Sequence, residues 1–405
     1  MVLFVLLACA TETNSPADTR LSTLTTPSAS PTVPTPTTPA PTTPTTPVAE
    51  TWTLAVWMDG DNDLEKYVMP DLDELERAVG PNVRVVVQAD RIPGYDDSGG
   101  DWVGTRRYEM LADAEPGVIS PLLEDLGEVD MGSEVALAEF LLWANATAPA
   151  DHFVLSLWNH GGGFWIASDD TDGGKIDLAG ELQAGLQPLV DARGKPLDVV
   201  AFDACNMGEW EAAQALRGLT LAMTASQAWV GGKGLEYDLA LAGLPADADA
   251  FAVADLLAWS AGEMANELTY AAIDVERIQP LSDAIDGLAG AYLAHPDGVR
   301  QFQLARESAR GLDREWEEWW LDLGSFADEA ALNADPAIAA AGELVRSELG
   351  AVVVGNYARD QVAFAAGLTI YTDTSYEPWV DSYQGGPWAE TRWAELLDAV
   401  RDAEK

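Results

Sequence analysis

From Thr51 onward the chain alternates short apolar runs with longer stretches in which apolar residues return every three or four positions. T-W-T-L-A-V-W-M (51–58), V-R-V-V-V-Q-A (83–89), F-V-L-S-L-W (153–158), L-D-V-V-A-F (197–202) and L-T-L-A-M-T-A (219–225) are short and β-branched or aromatic, as buried strands are. Between the first two, Leu64, Val68, Leu72, Leu75 and Val79 recur at helical spacing, with Pro70 expected to kink or restart the helix. Ser133 to Asn145, with Ser133 as N-cap, Leu178 to Val190 and Glu209 to Leu216 read as further helices, and Asp101 to Leu111 as a hairpin arm. Strands alternating with helices predict an α/β fold, a three-layer sandwich around a mostly parallel central sheet.

Beyond Phe251 the periodicity turns helical, over Ala252 to Thr269, Val275 to Ala294 and Gly298 to Gly311. An aromatic cluster from Glu315 to Trp320 is expected to pack against the main body, because large aromatic rings serve cores. The chain closes with an expected strand, Gly367 to Tyr371, and a Trp-bearing helix.

The first fifty residues have neither periodicity. Val2 to Ala8 is apolar and too short to span a bilayer, and Leu6-Leu7-Ala8-Cys9 resembles a bacterial lipobox, with Cys9 the candidate for lipidation. No Lys or Arg precedes the run. Residues 10–50 are Thr, Pro and Ser with almost nothing to bury, and read as a disordered stalk. The expected organisation is therefore a signal segment at 1–9, a stalk at 10–50, a catalytic domain at 51–270 and a mainly helical C-terminal region at 271–405. A lipid-anchored domain on a stalk is expected at the cell surface, or in the periplasmic or extracellular space, touching the membrane only through its anchor.

Charge narrows the partners. The 405 residues carry 67 Asp and Glu against 22 Lys and Arg, a net charge of −45, so the surface repels nucleic acid and anionic lipid and favours cations. The same Lys-poor surface also suits high salt. The chain is expected to be a monomer.

The candidate chemistry sits at strand ends. Asp59, Asp90, His160, Cys205 and the pair Ser226-Gln227 all follow buried runs, so one sheet edge collects them, where open α/β folds bind ligands. Cys205 follows a buried strand inside a polar turn with Asp203 and Asn206, ahead of a helix start that would favour a thiolate. Of three histidines, His152 begins a strand and His295 precedes a proline; only His160 ends a buried strand, and it is followed by Gly161-Gly162-Gly163. A thiol with an imidazole makes a nucleophile and its base, His160 taking the proton and later protonating the leaving amine, with the backbone N–H groups of Gly161 and Cys205 as an oxyanion hole. The acidic turn Asp59 to Asp63 fails as an EF-hand, since Leu64 and Pro70 stand where that loop needs Gly and Glu, and no metal ligand is assigned. A metal-dependent hydrolase using those acidic strand ends, and a non-catalytic cell-surface binding scaffold of the same fold, are the alternatives.

W-T-L-A-V-W-M-D-G-D-N-D-L-E (52–65), L-S-L-W-N-H-G-G-G (155–163) and V-V-A-F-D-A-C-N-M (199–207), followed by A-S-Q (225–227), A-I-D (272–274) and A-G-L-T-I-Y (366–371), resemble the clostripain family of cysteine peptidases, which share the caspase-like fold. The resemblance implies an endopeptidase, its expected partner a peptide or protein substrate, with His160 and Cys205 as its dyad and Asp203 lining the pocket for the residue before the scissile bond, hence cleavage after Arg or Lys. It places Ser226, Trp229 and Lys233 at the substrate-binding wall, where the acidic residue and Pro-Gly turn usual after A-S-Q are replaced by Ala228-Trp229-Val230-Gly231-Gly232-Lys233, and Lys233 is positioned to oppose a basic side chain. It also implies self-cleavage between the His and Cys motifs, with Lys175 as the candidate site, and a possible calcium requirement, while the chemistry itself needs no cofactor.

Overall fold

The computed structural model describes residues 51–312, 320–374 and 383–405. The signal-like run, Cys9, the stalk and the aromatic cluster up to residue 319 lie outside the described residues. The strands in chain order are β1 (Trp52–Gly60), β2 (Val83–Arg91), β3 (Thr105–Glu109), β4 (Leu122–Gly127), β5 (His152–Trp158), β6 (Trp165–Ser168), β7 (Lys175–Asp177), β8 (Leu197–Asp203), β9 (Thr220–Ala225), β10 (Thr269–Asp274), β11 (Trp320–Asp322), β12 (Val353–Ala358) and β13 (Thr369–Tyr371). Among the described residues, nine of them form one sheet in the order β12-β10-β9-β8-β5-β1-β2-β3-β4, while β6 with β7 and β11 with β13 form small pairs. The central strands β2, β1, β5, β8 and β9 are mutually parallel, and antiparallel strands flank them on both sides.

The alternation of side chains across each strand divides the core. In β1, Leu54, Val56 and Met58 face one layer and Ala55 and Trp57 the other, all buried. Helices α1 (Glu65–Ala78), α5 (Tyr237–Leu241) and α6 (Ala250–Trp259) cover the first face. Helices α2 (Glu134–Thr147), α3 (Glu181–Arg193), α4 (Trp210–Ala215), α7 (Ile278–Ala294), α8 (Gly298–Ser308), α9 (Leu323–Ala331), α10 (Pro336–Val352) and α11 (Arg392–Glu404) belong to the second. Each fully buried Val, Leu or Met contributes about 1.5–3 kcal/mol relative to exposure, so both faces of the central strands must be covered, and both are. Among the described residues no helix is long and apolar enough to cross a membrane.

Several elements differ from the sequence expectation. The 270/271 boundary falls inside β10, and β12, in a stretch read as helical, closes the sheet beyond it by pairing antiparallel with β10. Residues 353–358 alternate in burial but carry no turn signal ahead of them, because α10 runs straight into the strand. The expected helix to Thr269 ends as α6 at Trp259, passes through a wide turn at Ser260–Ala265 and is already strand at Thr269. Pro70 lies inside α1, and Ser133 occupies the N-cap position of α2 without a side-chain capping bond. The exposed edge strand β4 has no buried face and so no apolar periodicity to betray it.

Candidate active site

Strand register sets the level of the two reactive side chains. β5 and β8 pair in parallel with Trp158 opposite Asp203. His160 and Cys205 each lie two residues further on, so they leave the sheet together from adjacent strands about 4.8 Å apart. The two loops stay in contact above the sheet: the Asn159 N–H donates to the Asp203 carbonyl at 3.3 Å, and a Cβ added at Gly161 would fall 2.4 Å from the Cys205 carbonyl oxygen. Both His160 and Cys205 line the same two cavities.

The turn that presents the thiol is held by the loop after β9. Asn206, immediately after Cys205, has φ +55°, a left-handed conformation that asparagine tolerates better than most residues. Its N–H donates to the Ala228 carbonyl at 3.0 Å, and the Val230 N–H donates to Cys205 Sγ at 3.3 Å. An N–H aimed at sulfur favours the thiolate. Helix α4 starts only at Trp210, with Glu209 as N-cap.

His160 has a partner that reading along the chain did not single out. Its Nε2 lies 2.7 Å from Asp63 Oδ1, on the solvent side of the site. Asp63 belongs to the acidic turn between β1 and α1, 97 residues before His160 in the chain, so no local spacing links the two. Asn159 ties the same turn down, donating to the Asp59 carboxylate and carbonyl.

Asp203 opens into a cleft of about 260 Å³ walled by Tyr67, Trp158 and the loop from Val230 to Gly234. Its carboxylate accepts from the Leu235 N–H at 3.1 Å and from the Tyr237 hydroxyl at 2.8 Å. Burial pushes its pKa up to about 7, those two donors hold it down and Glu267 adds repulsion. Behind it Asp71, bonded to the Trp158 indole at 2.7 Å, is raised well above the carboxylate range by burial and then by Asp203 itself. Gly234 has φ +54°, and a Cβ there would meet Asp203 Oδ1 at 2.0 Å, so only glycine lets the loop close over the acid.

The other substrate-wall residues are divided by the structure. Lys233 is exposed and its ammonium lies 3.2 Å from Glu236, so its charge is matched locally rather than aimed at Asp203. Trp229 does not line the Asp203 cleft; it lines a second cavity on the other side of the dyad. Ser226 is fully buried, its hydroxyl bonded to Thr269 at 3.1 Å and to the Ala228 N–H at 3.1 Å, and it lines neither cavity. Its position at a strand end is as expected, but the hydroxyl turns inward because the loop N–H needs an acceptor there. Lys175 is exposed in β7, paired to Ser168 of β6, with its ammonium 5.1 Å from the Trp165 ring centroid.

The acidic strand ends gather on the far side of β1. Carboxylate oxygens of Asp61, Asp90 and Glu128 lie within 4.8 Å of one another, and so do those of Glu128, Asp169 and Asp172. Burial, then repulsion from Asp169, raises Asp59 well above its ordinary range; burial and Glu128 push Asp90 up to about 8.

A three-layer α/β sandwich whose parallel strands deliver a cysteine and a histidine to one crest is the caspase-like architecture. The chain belongs to the clostripain family, whose model matches residues 56–399. Clostripain of Hathewaya histolytica is 27% identical over 213 residues, which are 46% of this chain and 40% of that relative's own length. Among solved structures, an inactive zymogen C11 protease from Parabacteroides distasonis matches with a TM-score of 0.63 at 17% identity, over 87% of this chain and 99% of that one. The secreted C11 cysteine protease iotapain of Bacteroides thetaiotaomicron matches with a TM-score of 0.65 at 16% identity, over 85% and 99%. A further structure of a secreted C11 cysteine protease from that organism, in complex with an irreversible peptide inhibitor, gives 0.64 at 15%, over 86% and 99%.

Proposed function

We propose that this protein is a cysteine endopeptidase that cleaves after Arg or Lys. The observation that carries the reading is the common exit of Cys205 and His160 from adjacent parallel strands, beside a cleft whose polar floor is Asp203. His160 removes the thiol proton, and Asp63 favours the imidazolium that forms. The Cys205 sulfur adds to the scissile carbonyl, and its oxygen, now anionic, is held by the Gly161 and Cys205 N–H groups. The C–N bond then breaks as the imidazolium gives its proton to the leaving amine. Water, deprotonated by the same imidazole, hydrolyses the thioester and restores the thiol. A guanidinium or ammonium in the cleft meets the Asp203 carboxylate, while Glu236 neutralises Lys233.

Incubating a peptide library with the full chain, Cys205→Ala and His160→Ala tests the reading. Cleavage after basic residues that both substitutions abolish supports it. Cleavage elsewhere keeps the dyad and removes Asp203 from specificity, and no cleavage by the unsubstituted chain moves the protein to the binding-scaffold reading.

Three finer proposals accompany it. Self-cleavage at Lys175 requires the β6–β7 hairpin to open, so Lys175→Ala should leave the chain uncut where the parent is nicked. Calcium would be held by Asp61, Asp90, Glu128, Asp169 and Asp172, hard oxygen donors whose crowding a divalent cation would relieve. Bound there, away from the dyad, it would steady the strand ends, and a higher melting temperature in calcium than in chelator checks this. Export as a monomeric lipoprotein, supported by the apolar run ending in Cys9 and by the secreted C11 relative, predicts fatty-acid labelling that Cys9→Ser abolishes and a single-chain mass by light scattering.

A further inference from the structure

The second cavity at the dyad, about 330 Å³, is walled by three indoles, those of Trp165, Trp229 and Trp320. Gly161, Gly162 and Asn206 complete its lining beside His160 and Cys205. It lies across the dyad from the Asp203 cleft: the cleft is lined by the start of α1 and the loop leading to α5, whereas Trp320 and Phe164, in ring contact with each other, belong to the core under the opposite face of the sheet.

The sequence builds this cavity deliberately in space. The three glycines after His160 each make room for something different. A Cβ at Gly161 would strike the Cys205 carbonyl, one at Gly162 would fall 2.5 Å from the Trp165 indole, and one at Gly163 would fall 2.4 Å from the Trp320 ring. Trp229 is fixed from both sides, since Ala228 accepts from the Asn206 N–H and Val230 donates to Cys205 Sγ. Trp229 as a residue is nevertheless 53% exposed, a large apolar side chain left open beside a nucleophile.

We infer that the indole cavity is the subsite for the residue just after the scissile bond, and that it selects a large aromatic or aliphatic side chain there. This rests on the peptidase reading. With the preceding side chain in the Asp203 cleft, the carbonyl carbon over Sγ and its oxygen toward the Gly161 and Cys205 N–H groups, the leaving amine and its side chain point away from the cleft, toward the indoles. Cavities lined by aromatic rings with few polar groups bind apolar side chains, and rings stack on them. The Asp203 cleft on one side and the indole cavity on the other thus define a basic-then-apolar dipeptide at the cut.

The test uses the full chain and a set of peptides identical except for the residue after a fixed Arg: Phe, Leu, Gly or Asp. The expected ratio of kcat/KM for Phe over Gly is about ten- to a hundredfold, as for a side chain gained in a hydrophobic pocket. Trp229→Ala, at a half-exposed position where the fold does not depend on the ring, collapses that ratio toward one, and Trp229→Phe restores most of it. The ratio compares two substrates on one enzyme, so a general loss of activity does not move it. Cleavage after Arg with a Phe/Gly ratio near one, or a ratio that Trp229→Ala leaves in place, overturns the subsite and leaves the dyad standing. Failure of the unsubstituted chain to cut any of the peptides overturns both.

Discussion

Asp203→Asn separates the two things the buried acid does. Its carboxyl titrates near 7 in the folded protein and near 3.9 in an unfolded chain, a gap of about three pH units. Between those values the folded state binds the extra proton, so stability falls as pH rises and the full loss is present above 7. At 1.36 kcal/mol per unit the ionised acid costs about 4 kcal/mol at pH 8. Asparagine avoids that cost and keeps the bonds: its oxygen accepts from the Leu235 N–H, its amide donates to Tyr237, and Tyr237 donates on to Ser156 Oγ, 2.8 Å away. The substituted protein is therefore expected to melt roughly 4–8 °C above the parent at pH 8 and level with it at pH 4, by differential scanning calorimetry. The same change removes the charge that meets a basic side chain, and kcat/KM for an Arg peptide falls by about ten- to a hundredfold. A variant that is no more stable than the parent at pH 8, relative to pH 4, refutes the assignment of a strained, ionisable acid at this position.

Other substitutions probe separate links. Gly161→Ala forces a methyl group to within 2.4 Å of the Cys205 carbonyl, and the displaced N–H should lower kcat by about a hundredfold or more, read by steady-state assay with near-normal circular dichroism. Asp63→Asn keeps the contact to His160 Nε2 but not the charge, so the alkylation rate of Cys205 by iodoacetamide should fall; an unchanged rate removes Asp63 from the site. Arg91→Ala leaves the fully buried Glu65 without its cation and should cost about 3–5 kcal/mol, measured by denaturant unfolding.

What the sequence determined by itself was local. The apolar runs of β1, β2, β5, β8 and β9 read as buried strands, and with helices between them their polar ends fall at one edge of a parallel sheet, which singled out His160 and Cys205 as the candidate dyad. Asp203 closes one of those strands, but its expected place in a substrate pocket came only from the resemblance to the clostripain family. Only the tertiary structure decided the rest, since it depends on contacts between segments far apart in the chain. Asp63 reaches His160 from another strand end, and β12 pairs with β10 although the two are far apart in the chain. Trp165 opens β6, Trp320 opens β11 and Trp229 lies in the loop after β9, and no spacing rule links them. Direction was also beyond the sequence: Ser226, at the expected place, turns inward to satisfy a loop N–H, and Trp229 turns away from the cleft toward the other side of the dyad. Hydrophobic periodicity fixes which face of a strand is buried, but the orientation of a loop side chain is set by the hydrogen bonds that neighbouring loops impose on its backbone.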